Sequence, residues 1–494
     1  MLNHLLALVP TLTGVVLIDG FATPRRSDLA GRARAFWLLI CVSITAFGVL
    51  LGLSGNPTLA AALTLAMHLL LVFASNAKSR VLGEPLVFTD LALVGAVFRH
   101  PQFYFSVLAV WQKIAGFIAA LALAAVLAWL ARPGLAMAML GAAVAAAGLG
   151  ATWLSFRIGL FDKLACRPDI AADAAALGLV PSLILYWLRW RAGKAGPALA
   201  QHGTALVKDG PNNPDAAQLI VVVQCESFAD PVELFGDLGH ALPALDASRA
   251  DAVQWGSLLV SSFGAYTMRT EYGVLFGRDE TELGFRRYDP YLTAIEDARH
   301  ALPNRLNPNR WQSLFVHPHD MCFYGRDRIL PAAGFAKLVN EEAFARPASG
   351  DGRYVTDAAV ADKILELANG TRDPAFIYAV TIENHGPWAT HGKADRDMMI
   401  ANYNRLVRAG DAMLGRLREE IAALGRPAIL VFFGDHRPSI PRACSPGGAR
   451  HTPYVMIQFD GAGQIVAEPN RRKDLTPAQL HHAILELNLG RLQV

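Results

Sequence analysis

The stretch from Ser261 to Gly273 places a threonine hydroxyl where chemistry on an anion is possible. A glycine-containing turn precedes Thr267, and the residues after it can continue as a helix toward Phe276. Threonine is common at helix N-caps, and a cap alone would explain the residue. The same position also directs a hydroxyl and several backbone N–H groups toward one point, where an anion is stabilised. Thr267 is therefore predicted to be an N-cap residue, a nucleophile or both.

Three predicted strands elsewhere in the chain end in charged or polar residues. A charged group directly after a buried apolar strand has buried neighbours and needs a partner. Ligands bind beyond the carboxyl ends of the strands in open α/β sheets, so we expect a site there. The strands and the segments that follow them are Ala217–Cys225 with Glu226–Phe228, Ala375–Ile382 with Glu383–Pro387, and Ala428–Phe433 with Gly434–Pro438.

A divalent cation is the partner that these residue types favour. Glu226, Asp435 and the Thr267 hydroxyl offer three oxygen ligands, and His436 offers an imidazole. Such a set suits Mn²⁺, Mg²⁺ or Zn²⁺, and its oxygen-rich character favours Mn²⁺. The alternative for each residue is an ordinary polar group, satisfied by its neighbours, at the end of a strand. The sequence predicts one metal site where the strand ends meet.

The elements that would position this site indicate an α/β fold. A fourth strand is predicted at Tyr454–Phe459, and helices are predicted at Asp357–Ala368, Met398–Leu424 and Pro477–Leu489. Alternating strands and helices favour a doubly wound domain of about 280 residues. A polar segment, Lys208–Asp215, precedes this domain.

The rest of the chain is too apolar for an ordinary soluble protein. Of its 494 residues 53% are hydrophobic and 18% are charged, and the mean hydropathy is +0.29. The apolar excess lies in the first third, which predicts a membrane part joined to a soluble part. The net charge of +3 gives no reason to expect nucleic acid as a partner. The five cysteines have no paired spacing, so no disulfide framework or CxxC metal site is predicted.

About five membrane spans are predicted, each near the ~20 residues that cross a bilayer. The apolar runs are Leu5–Ile18, Trp37–Leu53, Leu59–Ala74, Ile114–Ala131 and Leu135–Ser155. Four arginines at residues 25 to 34 follow the first run, and the positive-inside rule would place them in the cytoplasm. With five spans, the α/β domain would then be cytoplasmic. A sixth apolar piece, Leu177–Trp190, would return the chain to the outside or lie in the interface, so the charges leave the topology open.

The predicted organisation has three parts. They are a transmembrane helical anchor at residues 1–157, a juxtamembrane or interfacial linker at 158–215, and the α/β domain at 216–494. Glu84 and Asp90 lie in a loop between the predicted spans. They are either solvated loop residues or part of a surface that meets a lipid head group or acceptor.

The motifs together resemble the phosphoglycerol transferase and lipoteichoic acid synthase family. These are membrane-anchored, sulfatase-like members of the alkaline phosphatase superfamily. The order and spacing of the motifs agree with the family over roughly residues 217 to 460, and the loop Gly83–Leu86 also looks familial. The matching segments are Gln224–Phe228, Thr267–Glu271, Phe323–Arg328, Glu383–Pro387 and Gly434–His436.

The resemblance implies a sulfatase-like α/β domain with a mixed, mainly parallel sheet, preceded by the helical anchor. It implies that Thr267 is the catalytic nucleophile and that His385 holds the phosphate or protonates a leaving oxygen. The metal ligands that it implies are Glu226, Thr267, Asp435 and His436. The substrate-binding residues that it implies are Arg326 and His385 at the phosphate and Tyr324 beside the glycerol.

The activity that the resemblance implies is transfer of phosphoglycerol from phosphatidylglycerol to a glycan or polymer acceptor, through a phosphothreonine. The family places its catalytic domain outside the cytoplasmic membrane, and we expect that location here. Cys225 lacks the Cys/Ser-x-Pro-x-Arg context of the nucleophile in true sulfatases. Phosphoethanolamine transfer and phosphodiester or sulfate ester hydrolysis are alternatives on the same fold. A membrane protein that only binds is a further alternative from another class.

Overall fold

A computed structural model describes residues 6–24, 32–92, 110–193, 217–306, 310–347, 352–389 and 395–490. The chain divides into two compact units, Met1–Gly196 and Pro197–Val494. Small apolar clusters between helices form the core of the first unit. A continuous core on one face of a sheet organises the second.

The first unit is built from helices. Over its described residues they are α1 (Leu8–Asp19), α2 (Arg32–Ser54), α3 (Pro57–Leu82), α4 (Phe88–Ala92), α5 (Val110–Leu130), α6 (Leu135–Arg157), α7 (Ile170–Leu177) and α8 (Leu179–Gly193). Among the described residues, α2, α3 and α6 are long and apolar enough to cross a membrane. Helix α1 and the Ile114–Leu130 part of α5 are apolar but shorter. The number of spans and their sidedness stay predictions.

Helices α2 and α6 pack through small residues. A Cβ atom on Gly141 would lie 2.5 Å from the Cα of Gly52, and one on Gly48 would lie 2.4 Å from the backbone nitrogen of Ala145. Small residues let two backbones approach closely, and this is how spanning helices associate where lipid is as apolar as their side chains. The close contact therefore depends on glycine at these crossing points.

Two further features of the first unit follow from local sequence. The connection between α2 and α3 is short, and the Asn56 side chain caps α3 by accepting from two backbone N–H groups. Helices α7 and α8 lie within the stretch predicted as a linker. Leu179 and Leu183 of α8 pack with Ala22 and Val72, so α8 contributes to the core of the first unit.

The second unit is organised around one mixed sheet. Its order over the described residues is β4-β3-β5-β1-β6-β7-β2-β9, with β8 paired to β7. The pairs from β4 to β6 are parallel, and β7 runs antiparallel to β6, β2 and β8. The strands are β1 (Leu219–Cys225), β2 (Gln254–Leu258), β3 (Gln312–Val316), β4 (Lys337–Val339), β5 (Ala375–Val380), β6 (Ala428–Gly434), β7 (Thr452–Phe459), β8 (Ile465–Val466) and β9 (Arg471–Arg472).

Helices cover this sheet on both faces. Leu219, Val221 and Val223 of β1 belong to the core formed with the helices Asp357–Asn369 and Arg396–Ala423. The alternate side chains face the other layer, where Gln224 Nε2 donates to the Thr267 carbonyl. The α-helices are α9 (Pro231–Phe235), α10 (Pro243–Asp251), α11 (Thr267–Phe276), α12 (Glu280–Leu283), α13 (Pro290–Thr293), α14 (Leu302–Arg305), α15 (Arg326–Ala332), α16 (Asp357–Asn369), α17 (Arg396–Ala423) and α18 (Pro477–Asn488).

The predicted fold class is confirmed. The four predicted strands are present as β1, β5, β6 and β7, and the three predicted helices as α16, α17 and α18. The sequence patterns did not indicate β2, β3, β4, β8 and β9, which are short, and β2 (Gln-Trp-Gly-Ser-Leu) is also partly polar. Such strands take their conformation from pairing with the sheet more than from their own residues.

Candidate active site

Thr267 begins helix α11, but it is not the N-cap residue. The cap position belongs to Tyr266, which has the left-handed conformation φ 69°, ψ 40° and makes no side-chain cap. The N-cap prediction is therefore wrong by one residue. A non-glycine residue with positive φ is sparsely populated and persists only where surrounding structure enforces it. Here it turns the chain so that Thr267 is the first helical residue, 8% exposed, with its hydroxyl 3.5 Å from Glu226 Oε2.

The sheet places two carboxylates side by side. Residues Cys225 and Gly434 are partners at the ends of the parallel strands β1 and β6, so Glu226 and Asp435 leave the sheet together. A Cβ atom on Gly434 would lie 1.8 Å from the carbonyl oxygen of Phe228, which requires glycine at that position. Parallel pairing of β1 and β6 thus brings together residues more than two hundred positions apart in the sequence.

Glu226, Asp435 and His436 form one buried group. A ligand atom from each lies within 4.8 Å of the others. His436 Nε2 is 3.5 Å from Glu226 Oε1 and 3.5 Å from Asp435 Oδ2. With the Thr267 hydroxyl, the structure therefore brings together all four residues that the sequence predicts as metal ligands.

The donors of this group fit a divalent cation. Asp435 Oδ1 accepts from the N–H groups of Ser227 and His436, each at 2.8 Å, whereas buried Oδ2 has no hydrogen-bond partner among the described residues. Burial, and then the neighbouring Asp435 carboxylate, raise the pKa of Glu226 to about 8. His436 Nδ1 donates to the Arg437 carbonyl, which leaves the Nε2 lone pair toward the carboxylates. Two acids buried side by side favour a positive charge between them.

Arg326 lies buried beside the helix that begins at Thr267. Its Nε and Nη2 donate to the two Glu271 oxygens at 3.0 and 2.5 Å, and Tyr291 donates to the same carboxylate at 2.5 Å. Burial alone lowers the pKa of Arg326, but Glu271 outweighs it and keeps the pKa above its ordinary value. The carboxylate of Glu271, which the sequence left without a role, therefore holds the planar guanidinium in place.

The Arg326 guanidinium carbon lies over the ring of Tyr324, 5.4 Å from the ring centroid. The backbone of Tyr324 has a positive φ of 61°, a third strained position around this site beside Tyr266 and Ser227. Such conformations cluster where a side chain must point in one direction. Substrate contact by Arg326 and Tyr324 stays a prediction.

His385 follows β5 and is half-buried. Its Nδ1 donates to the Gly386 carbonyl at 2.7 Å, so the lone pair is on Nε2. Burial lowers the pKa of His385, and the charge of Asp435 partly opposes this shift. The residue is therefore a neutral imidazole near neutral pH, able to accept a proton at Nε2.

Comparison with known proteins identifies the family of this chain. The sulfatase family model matches residues 218–486, more than half of the sequence. The capsular polysaccharide biosynthesis protein RkpI of Rhizobium meliloti (strain 1021) is 30% identical over 456 residues, covering 89% of this chain and 84% of that protein. The chain belongs to the sulfatase family.

Solved structures agree with this assignment at the level of fold. The integral membrane protein lipooligosaccharide phosphoethanolamine transferase A (EptA) from Neisseria meningitidis aligns with a TM-score of 0.54 at 13% identity, over 97% of this chain and 95% of that one. The phosphoglycerol transferase GacH of Streptococcus pyogenes aligns with a TM-score of 0.46 at 18% identity, over 62% of this chain and 81% of that one. The likeness to EptA extends over both units and shows a shared fold, while the family assignment rests on the family model and on the relative RkpI.

Cys225 is not placed as a nucleophile in this sulfatase-family chain. It is buried at the end of β1, where its thiol lies 3.7 Å from Thr381 Oγ1 and 4.0 Å from Asp357 Oδ2. Burial, and then the charge of Asp357, raise the pKa of the thiol well above its ordinary value. A protonated, enclosed thiol does not attack phosphorus or sulfur.

Two histidines near the site escaped sequence reasoning. His317 and His319 follow β3, a strand that the sequence patterns did not indicate. Buried His317 Nδ1 donates to the Val380 carbonyl at 2.9 Å. Burial, followed by the charges of Arg326 and His319, lowers its pKa well below the ordinary value. The signal that could have found them is the polar segment His-Pro-His-Asp directly after the apolar run Leu-Phe-Val.

Proposed function

We propose that this protein transfers a phosphoglycerol group from phosphatidylglycerol to a hydroxyl of a glycan or polymer, through a phosphothreonine at Thr267. One observation carries the proposal: the Thr267 hydroxyl lies at a helix start, 3.5 Å from Glu226 Oε2, beside the buried group of Glu226, Asp435 and His436, whose side chains are typical metal ligands. This arrangement suits attack by a hydroxyl on an anionic phosphorus centre.

The names of two similar proteins support a glycan as the acceptor. The relative RkpI is named for capsular polysaccharide biosynthesis, which favours a glycan acceptor. EptA, whose fold matches both units, is an integral membrane protein named for transfer to a lipooligosaccharide. A transferase with a glycan-containing acceptor is consistent with both names.

Glu226, Asp435, His436 and Thr267 would hold one divalent metal, with Mn²⁺ preferred over Mg²⁺ or Zn²⁺ because the set is rich in oxygen. When bound, such an ion lowers the pKa of a coordinated hydroxyl and stabilises charge on a phosphoryl group. Asp435 is oriented for this role by the two N–H groups that hold Oδ1. The N–H groups of the first turn of α11 would favour a phosphate beside Thr267.

The transfer has two displacement steps. In the first, a bond forms between Thr267 Oγ1 and phosphorus, and the bond from phosphorus to the diacylglycerol oxygen breaks. The threonine loses its proton, and the diacylglycerol oxygen gains one. In the second, an acceptor hydroxyl attacks phosphorus, and Thr267 leaves and recovers a proton. His385 Nε2 can accept the proton of the acceptor, because Nδ1–H is bound to Gly386 and the ring is neutral.

Phosphoethanolamine is the second candidate for the transferred group, favoured by the likeness to EptA over 97% of the chain. The mass of the adduct on Thr267 distinguishes this group from phosphoglycerol.

We extend the proposal to location. The anchor would occupy residues 1–157 and the linker 158–215, with the catalytic domain at 216–494 on the outer side of the cytoplasmic membrane. The three long apolar helices among the described residues support membrane attachment. The acceptor glycan would be met on that outer side.

The deciding experiment measures cleavage of a fluorescent phosphatidylglycerol by the full-length protein in detergent. Thr267→Ala should lose turnover by about 10³-fold or more, as expected when a nucleophile is removed. Thr267→Ser keeps a hydroxyl and should retain part of the turnover. Thr281→Ala, an exposed threonine outside the site, should behave as the wild type.

Mass measurement of the intact protein identifies the transferred group. Wild type quenched during turnover should carry a phosphoglycerol adduct that maps to Thr267, and Thr267→Ala should carry none. A phosphoethanolamine adduct would replace the donor in the proposal. Undiminished lipid cleavage by Thr267→Ala would refute the nucleophile assignment.

A further inference from the structure

A second cleft lies alongside α11, between that helix and the start of α18. Its volume is about 390 Å³, and its walls include Thr270 and Gly273 of α11 and Thr476 to Ala478 at the start of α18. None of the residues assigned above to metal, nucleophile or phosphate lines it. It is therefore a separate space, which we call the cationic cleft.

The charge of the cleft is strongly one-sided. Its wall carries four arginines and only two carboxylates, Asp279 and Glu280. Glu280 pairs with Arg287 and also accepts from Ser261. Asp279 is occupied in capping α12. The remaining arginines of the wall are Arg269, Arg278 and Arg450.

Two of these arginines lack full compensation. Half-buried Arg450 donates to the backbone carbonyl of Ser261 and forms no ion pair with a carboxylate of the described residues. Arg278 is 6% exposed; its Nη2 donates to His300 Nε2 at 2.7 Å and lies 3.8 Å from Asp297, whereas its Nε has no hydrogen-bond partner among those residues. A buried guanidinium without a close anion is costly, so the fold leaves an attraction for an anion here.

The cleft is joined to the catalytic centre by direct bonds. Thr270 of its wall donates to the Asp435 carbonyl at 2.7 Å. His451, also in the wall, bonds through its carbonyl to Arg437, which follows His436. Thr270 is one helical turn from Thr267, a rise of roughly 5 Å along α11. A polymeric ligand with one unit bound in the cleft could place its adjacent unit beside Thr267.

We infer that the cationic cleft binds an acidic sugar residue of the acceptor glycan, which rests on the proposed function. The wall alternates arginines and hydroxyl-bearing side chains with the apolar surfaces of Leu259, Leu283 and Pro290. Guanidinium groups bind carboxylates through paired hydrogen bonds, and the apolar surfaces match the C–H faces of a pyranose ring. A lipid chain would instead need a continuous apolar wall.

The test measures binding in the full-length Thr267→Ala protein, so that it does not depend on transfer. The probe is a galacturonate tetrasaccharide, titrated by calorimetry in detergent, with neutral maltotetraose as the matched sugar. We expect the acidic sugar to bind, with affinity falling as salt rises, and the neutral sugar to bind about tenfold more weakly or not at all. Equal affinity for the two sugars would overturn the inference.

Variants locate the binding. Arg450→Gln and Arg287→Gln should each weaken binding of the acidic sugar about tenfold, the loss of one charge-assisted contact. Arg416→Gln, an exposed arginine of α17, should bind as the parent does. Thermal unfolding shows which variants fold, and Arg287, 29% exposed, provides the safer substitution. Unchanged binding in the folded arginine variants would refute the cleft as the site.

A competing ligand class is tested in the same experiment. Phosphatidylserine, an anionic lipid that is not the proposed donor, is added in mixed micelles, with phosphatidylcholine micelles as the control. Displacement of the tetrasaccharide by phosphatidylserine alone would overturn the sugar assignment in favour of an anionic lipid. If lipid cleavage by the wild type fails while tetrasaccharide binding persists, the proposed donor is wrong and the cleft assignment stands. The two proposals therefore fail separately.

Discussion

Two of the sites at which the second unit buries carboxylates have opposite surroundings. Glu271 is fully buried and receives two hydrogen bonds from Arg326 and one from Tyr291. Asp435 is equally buried, yet its Oδ2 has no hydrogen-bond partner among the described residues. Its neighbour Glu226 has a pKa raised to about 8 by burial and then by Asp435.

The partners of a buried carboxylate distinguish a structural role from a role in metal binding. At Glu271 the protein supplies its own cation, so the charge is balanced and the side chains are held in one geometry. At Glu226 and Asp435 the protein supplies a second anion instead, and the balance must come from outside the chain. The role of a buried carboxylate is therefore inferred from the groups around it. Substitution of Glu271 and of Asp435 should change the free energy of unfolding in opposite directions.

The largest effect is expected from Asp435→Asn. Turnover of fluorescent phosphatidylglycerol should fall by about 10³-fold or more, because a charged ligand at the reacting centre is lost. In chelator, the free energy of unfolding should rise by about 1 kcal/mol, since repulsion with Glu226 is relieved. Denaturant titration of both proteins checks the second result. A variant that is both active and less stable would place Asp435 with Glu271, as a structural acid.

Glu271→Gln should act in the opposite direction on stability. It leaves the guanidinium of Arg326 buried without an anion, which should lower the free energy of unfolding by about 3 kcal/mol. Glu296 is the matched control, because it pairs with Arg286 at 3.1 Å but is 61% exposed. Glu296→Gln should change stability by about 0.5 kcal/mol or less. Equal effects of the two substitutions would contradict the contrast between a closed buried pair and a surface pair.

Metal addition should stabilise only the uncompensated group. A metal at one hundred times its Kd should raise the free energy of unfolding of the chelator-treated protein by about 2.7 kcal/mol. Titrations with Mn²⁺, Mg²⁺ and Zn²⁺, followed by thermal unfolding, rank the ions. Asp435→Asn should lose most of the shift, whereas Glu296→Gln should keep it. A metal response that survives in Asp435→Asn would place the ion elsewhere.

The smallest effect concerns a buried base. His481 donates from Nδ1 to the Val274 carbonyl, and burial, then the charges of His482 and Arg305, lower its pKa well below 6.5. The unfolded chain takes up a proton at about pH 6.5, and the folded chain does so only at lower pH. His481 therefore does not change the free energy of unfolding above about pH 6.5. Below that pH, its contribution should lower the free energy of unfolding by about 1.4 kcal/mol per pH unit. His481→Gln should show a shallower pH dependence of unfolding, and an unchanged slope would contradict the assignment.

Sequence patterns predicted more of the site than of the sheet. The sequence indicated Glu226, Asp435 and His436 because buried strands are recognised as apolar runs, and the carboxyl ends of parallel strands meet at one edge of the sheet. His317 was missed because β3 is only five residues long and takes its structure from pairing with β4 and β5. The N-cap was misplaced by one residue, because the positive φ of Tyr266 is imposed by its surroundings.

The amino-acid sequence by itself determined which segments are apolar, which form buried strands, and which polar residues follow them. These are local properties, set by burial and backbone preference over a few residues. The tertiary structure alone decided what each charge faces. Glu271 and Arg326 are 55 residues apart and meet only in the folded chain. Asp435 Oδ2 lacks a hydrogen-bond partner, and Arg450 a carboxylate, only because of how the strands and loops of the described chain are arranged. Electrostatic balance depends on distances between remote residues, and these arise only when the chain is folded.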